Sequence, residues 1–98
     1  MIQIAEVTLK LLALFYNQVG QHELTYEADT VNDVLKQFLN EYGAKLDKTL
    51  IDHKTNDLRN YILILVNGRN INFLDGRDTK LKDGDVVAIS PPIAGGYL

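Results

Sequence analysis

The sequence predicts an α+β domain in which one amphipathic helix lies across one face of a mixed β-sheet. Three observations carry this reading. Two alternating apolar segments flank Gly20, a single helical apolar stripe follows them, and the second half holds two apolar runs punctuated by Asn-Gly and Asp-Gly pairs. A chain of 98 residues has room for one hydrophobic core.

From Ala5 to Leu11 the apolar residues Ala5, Val7, Leu9 and Leu11 alternate with Glu6, Thr8 and Lys10, which predicts a half-buried strand. Gly20 breaks that pattern. Leu24, Tyr26 and Ala28 then alternate with Glu23, Thr25 and Glu27, so a second strand, reached by a short turn, completes a hairpin. Val31, Val34, Leu35, Phe38, Leu39 and Tyr42 recur at helical spacing and predict one buried helix face. Thr30 suits the N-cap, Asp33 places a carboxylate in the first turn, and Gly43 suits a left-handed stop. The polar stretch from Leu46 to Asn60 has no clear period and is expected to be a long loop holding a turn of helix at most. Tyr61 to Val66 is a continuous apolar run, expected as a central strand buried on both faces. Asn67-Gly68 predicts a type I′ turn that folds Arg69–Ile71 back as a short partner. Asp75-Gly76 and Asp83-Gly84 mark further turns, and Asp85 to Ser90 supplies the last strand before two prolines. Strand, strand, helix and three further strands give the ββαββ-type order of a β-grasp roll over residues 1–90, with 91–98 as a separate tail.

Composition removes several function classes. The formal charge of −3 and the absence of a basic stripe argue against a nucleic-acid partner. With no cysteine there can be no disulfide, thiolate metal site or cysteine nucleophile. The two histidines do not make a metal centre: His22 is in phase with Leu24 and is expected to be a partly buried edge residue, and His53 lies in the polar loop beside Asp52. "NGRN" and "DGRD" are turn chemistry, not a phosphate-binding loop. No apolar run is long enough for a membrane span and no signal-peptide pattern opens the chain, so no membrane partner is expected and the location is expected to be cytoplasmic. No acid/base pair or catalytic triad emerges, which favours a binding or carrier role over an enzyme.

The chemistry sits in the tail, "SPPIAGGYL". Pro91 and Pro92 each fix φ near −65° and hold the chain extended as it leaves the last strand. From Pro91 through Ile93, Ala94 and Gly95 to Gly96 the reach is about 20 Å at roughly 3.3 Å per residue, enough to enter another protein's active site. Gly95 and Gly96 lack Cβ atoms, so a narrow channel can close around them and a reagent can reach the Gly96 carbonyl unhindered. A glycine carboxyl there is a handle once a good leaving group such as AMP activates it.

Four segments carry a family resemblance: "VTLKLLALFYNQVG", "TVNDVLKQFLNEYG", "ILVNGRNI" and above all "LKDGDVVAISPPIAGG". Together they resemble the MoaD/ThiS family of ubiquitin-like sulfur carriers, and the Leu-x-Asp-Gly-Asp-x-Val run leading through Pro-Pro to Gly-Gly is the most specific match. The resemblance implies that Gly96 is adenylated by an ATP-dependent, ubiquitin-activating-like enzyme, is converted to a thiocarboxylate by a sulfur donor, and passes its sulfur on. On the MoaD-like branch, which the double proline favours, the acceptor is the molybdopterin precursor in a large synthase-type subunit that receives Pro91 to Gly95. The carrier itself binds no cofactor or metal; ATP belongs to its partner. An alternative within the same resemblance is a modifier joined to lysines, and a plain interaction module is a third reading. The chain departs from the family pattern at three places. Tyr97 and Leu98 follow Gly96 and imply trimming by a peptidase, a zinc metalloprotease in some relatives. Phe15-Tyr16-Asn17 stands where Leu-Arg-Glu is common, and Ser90 stands where an aromatic residue commonly precedes the prolines.

Overall fold

The structure is a computed structural model, and it describes residues 4–92. The elements run β1 (Ala5–Leu11), α1 (Leu14–Val19), β2 (Glu23–Ala28), α2 (Val31–Tyr42), β3 (Ile51–Asp52), β4 (Asp57–Leu58), β5 (Leu63–Val66), β6 (Arg69–Asn70) and β7 (Val86–Ser90), with short 3-10 turns at Gly43–Lys45, Ile71–Phe73 and Gly76–Asp78. Five strands form one sheet in the order β2-β1-β7-β5-β6, and β3 pairs with β4 alone. β1 runs antiparallel to β2 but parallel to β7, and β7 runs antiparallel to β5. First and last strands therefore lie side by side in the middle of a mixed sheet, with α2 in the connection between them, as expected for a β-grasp roll.

The registers explain the two faces. Val7 lies opposite Tyr26 and Leu9 opposite Leu24, whereas Glu6, Thr8 and Lys10 face Glu27, Thr25 and Glu23 on the other side. Val7, Leu9, Leu11, Ile64, Val66, Val87 and Ile89 are buried from the sheet, against Val31, Val34, Leu35, Phe38 and Leu39 from α2. Each such side chain contributes roughly 1.5–3 kcal/mol on leaving water. Helix α2 starts where the sequence places its signal: the Thr30 hydroxyl accepts from the Asp33 N–H and the Asp33 carboxylate accepts from the Thr30 N–H, both at 3.2 Å. This reciprocal cap satisfies two orphan donors and is worth about 1 kcal/mol. The Tyr26 hydroxyl, donating to Glu41 at 2.6 Å, ties β2 to the helix.

Five expectations about the elements need correction. The β1–β2 connection is not a short turn but contains α1, which tucks Phe15 and Val19 into the core; Phe15 meets Phe38 edge to face at 6.2 Å. Six residues are too few to establish a helical period, so the stripe was hidden. Gly43 is not left-handed: at φ −53° and ψ −37° the chain turns straight into the Gly43–Lys45 turn. A Cβ at this glycine would sit 2.7 Å from Asn56 Oδ1, so its small size, not its φ, is used.

The stretch Leu46–Asn60 is no simple loop. It holds the β3–β4 hairpin and buries Leu46, Leu50, Ile51 and Leu58. Gln18 clasps it from α1, donating to the Asp47 carboxylate at 2.7 Å and accepting from the Asp47 N–H at 2.9 Å. The Thr49 hydroxyl and then this amide hold the Asp47 carboxyl below its ordinary range. The run Tyr61–Val66 becomes strand only at Leu63 and is buried on one face: Ile64 and Val66 point inward while Leu63 is 38% exposed. The centre of the sheet is β7, not β5. The returning partner stops at Asn70, because Ile71 already belongs to a 3-10 turn.

Candidate functional site

The tail is rooted on the central strand, and the Leu-x-Asp-Gly-Asp-x-Val run is the device that fixes the root. Leu81 and Val87 are buried. Asp83 accepts from the Glu6 N–H at 2.9 Å and so pins the turn to β1. Gly84, at φ +89°, makes the reversal that a side chain would strain. Asp85 then accepts from the Lys82 N–H at 2.8 Å and from Asn67 Nδ2 at 2.9 Å. On the other edge the Asn67 carbonyl oxygen Oδ1 accepts from the Val86 N–H at 2.9 Å. The segment that leads into β7 is therefore held from both sides, by Glu6 of β1 and by Asn67 at the end of β5.

At the far end, Ile89 pairs with Leu11 on one side and Ile64 on the other, and its carbonyl accepts from the Leu12 N–H at 3.1 Å. Ser90 is almost fully buried, and its hydroxyl donates to the Pro91 carbonyl at 2.9 Å. The serine thus stabilises the first turn-out of the chain where a larger aromatic ring is common in the resembling family. Pro91 is half-buried and Pro92 exposed, so the chain quits the sheet between them. They form one wall of an open groove of about 960 Å³ whose lining includes Tyr61, Leu63, Lys36 and Arg77. Ile93, Ala94, Gly95, Gly96, Tyr97 and Leu98 lie outside the described residues.

The open face of the sheet supplies a surface that sequence reading did not single out. Register puts Ser90 opposite Leu63 and Ala88 opposite Leu65, while Val86 is aligned with Thr8. Leu63 and Leu12, 38% and 41% exposed, therefore flank the root of the tail. The signal was present in Tyr61–Val66, but only the pairing shows that half of that run faces outward. Toward β2 the same face turns acidic, with Glu6 beside Glu27 and Glu23 beside Lys10.

The remaining sequence candidates are structural. His22 is exposed and precedes β2, not a partly buried strand residue; its ring stacks on Tyr16 at 3.8 Å. The strand begins only at Glu23, so His22 lies outside the alternation that Leu24 belongs to. His53 is exposed in the β3–β4 turn. Among the described residues no group of three or more His, Asp or Glu could hold a metal ion, and no helix is long and apolar enough to cross a membrane. Arg77 of the "DGRD" stretch pairs with Asp57 at 3.0 Å and so braces β4 against the Gly76–Asp78 turn.

A family model described as the ThiS family matches residues 9–96, from β1 through the second tail glycine. The chain belongs to the ThiS family. Its relatives include small archaeal modifier protein 3 of Haloferax volcanii, 36% identical over 93% of this chain and 99% of that protein. The sulfur carrier protein CysO of Mycobacterium tuberculosis is 29% identical over 79% of this chain and 83% of its own. Among solved structures, small archaeal modifier protein 1 from Methanosarcina acetivorans superposes with a TM-score of 0.81 at 36% identity, covering 96% of this chain and 99% of that one. This ThiS-family chain is thus a ubiquitin-like protein of the carrier and modifier kind, and these matched proteins are carriers or modifiers, not catalysts.

Proposed function

We propose that this protein carries sulfur on the carboxyl group of Gly96, for assembly of the molybdopterin or tungstopterin cofactor in the cytoplasm. The observation that supports it most is the root of the tail: two prolines leave the central strand directly, the residues leading into that strand are tied to both of its neighbours, and the sequence then runs through Ile93-Ala94 to Gly95-Gly96. Such a root turns the domain into a handle with which partners can hold the reacting carbon still.

The chemistry takes three steps. Tyr97 follows Gly96, so the acyl carbon is held in a peptide bond, and hydrolysis of that bond by a peptidase, a zinc metalloprotease in this reading, must free the carboxylate. On an ATP-dependent adenylating enzyme one carboxylate oxygen attacks the α-phosphorus of ATP, and pyrophosphate leaves. Sulfide supplied by the donor then attacks the acyl carbon and AMP leaves, giving the thiocarboxylate with no change of oxidation state. The absence of Cβ atoms at Gly95 and Gly96 allows both enzymes to close on the backbone. Pro91 to Gly95 would span the channel of the large synthase-type subunit, and Leu12 and Leu63 beside the root would meet its mouth.

One observation favours a second reading. Two of the matched proteins, both 36% identical, are named modifiers. The same acyl adenylate, attacked by a lysine amine in place of sulfur, would yield an isopeptide bond. One experiment separates the two. A chain ending at Gly96 is incubated with its adenylating enzyme, ATP and a sulfide donor, then followed by intact mass. Exchange of one oxygen for sulfur, lost when both glycines become alanine, is the expected result. Conjugates to lysine without any thiocarboxylate would select the modifier, and an unaltered carboxylate after adenylate formation would refute the carrier.

A further inference from the structure

Asn67 and Gly68 join β5 to β6 with φ of +50° and +84°, the two positive values a type I′ turn requires. Both residues are exposed, and nothing lies within 4 Å of where a Cβ on Gly68 would be. An Asn-Gly pair in open chain is chemically labile, because the glycine nitrogen is unhindered and can reach the preceding side-chain amide. Here that amide is not free. Its Nδ2 donates to Asp85 Oδ1 at 2.9 Å, its Oδ1 accepts from the Val86 N–H at 2.9 Å, and the Asn67 N–H donates to the Val86 carbonyl at 2.8 Å.

We propose that Asn67 is a deamidation site that strand β7 holds shut, and that loss of its amide unfastens the strand carrying the tail. In the reaction the Gly68 nitrogen attacks Asn67 Cγ, the bond from Cγ to Nδ2 breaks, and ammonia leaves with the proton from the Gly68 N–H. A succinimide ring remains. Water then adds to one of the two ring carbonyls and breaks its bond to nitrogen, leaving either aspartate or isoaspartate. No oxidant, reductant or enzyme is required.

Attack requires the amide to swing away from β7, which means releasing both of its hydrogen bonds and the left-handed backbone of Asn67. The reaction rate therefore reports how often this clasp opens. Closure after reaction is prevented by charge. The new carboxylate oxygen occupies the place of a donor that sat 2.9 Å from an Asp85 oxygen. Asp85 is not free to turn aside, because its other oxygen accepts from the Lys82 N–H at 2.8 Å. Two anionic oxygens would face each other where a donor and an acceptor had been. The isoaspartate form also inserts a methylene into a two-residue turn that has no place for it.

The test follows residue 67 by peptide mass spectrometry in the full chain at mildly alkaline pH. Folded protein should deamidate at least about tenfold more slowly than the same chain in concentrated urea, and Asp85→Ala should move the folded rate toward the unfolded one. Equal rates in folded and unfolded chain would overturn the proposal. Because Asp85→Ala also deprives the Lys82 N–H of its acceptor, a second pair decides independently. Asn67→Asp should lower the urea midpoint, and the double variant Asn67→Asp/Asp85→Asn should recover most of the loss, since an amide then donates to the carboxylate with the roles exchanged. A double variant no more stable than Asn67→Asp alone would equally overturn it.

Discussion

Gly43→Ala tests whether the end of α2 is governed by backbone conformation or by a neighbour across the fold. At φ −53° and ψ −37° alanine fits the backbone without strain, and helix propensity alone would then stabilise the protein by up to about 1 kcal/mol. The added Cβ, however, would lie 2.7 Å from Asn56 Oδ1, closer than such atoms approach. Asn56 is exposed and the obstructing atom is the end of its side chain, so relief comes from turning that amide away, which the left-handed backbone at φ +55° does not prevent. Turning that side chain off its preferred rotamer costs roughly 0.5–1.5 kcal/mol, which offsets the propensity gain, so the net change should lie within about 0.5 kcal/mol of zero. Urea unfolding followed by circular dichroism measures it. The decisive comparison is the same substitution in an Asn56→Gly background, which removes the obstructing oxygen and suits the left-handed turn. There Gly43→Ala should show the full propensity gain, a coupling of roughly 0.5–1.5 kcal/mol between the two sites. Equal effects in both backgrounds would refute the steric account and return the glycine to a purely conformational role.

Two further substitutions probe the scaffold. Ala13, at the start of α1, has φ +54° and ψ −126°, a region open to glycine and costly for any residue with a Cβ. Ala13→Gly should therefore raise the urea midpoint by the equivalent of about 1 kcal/mol, and a lower midpoint would show that the strain is not there. Burial, together with the hydrogen bond to Glu41, pushes the Tyr26 hydroxyl far above its ordinary ionisation range. The raised folded value means that the tyrosine's contribution to stability is complete below about pH 10 and falls as the unfolded chain ionises above it. Comparing thermal or urea unfolding of wild type and Tyr26→Phe across pH 8 to 11, the advantage of the wild type should shrink above about pH 10 by at most roughly 1.4 kcal/mol per unit. A constant difference would contradict the assignment.

What could be read from the chain alone was whatever its own neighbourhood dictates. Helix α2 carries its apolar stripe, its Thr30 cap and its Asp33 reply within a few residues, and all three appear where the spacing puts them. The Asn67-Gly68 turn is equally local. Elements of two residues, such as β3 and β4, leave no period to detect, and their buried Leu50, Ile51 and Leu58 look like scattered apolar residues in a polar stretch. Gly43 misled because the reason for a glycine there lies thirteen positions away, in Asn56. At the tail root the motif is legible as a pattern, but the task of Asp83, to hold the Glu6 N–H at the opposite end of the chain, emerges only when β1 and β7 become neighbours.

That adjacency has a mechanical side. A pull on the C-terminal segment enters the sheet through its middle strand, which is bonded to β1 running the same way and to β5 running against it. The load is shared as shear by two ladders at once, and cannot peel them one rung after another as it would from an edge. Machinery that drags on this end should meet the stiffest part of the domain first, whereas a tug on the N-terminal side of β2, an edge strand, should unzip it more readily.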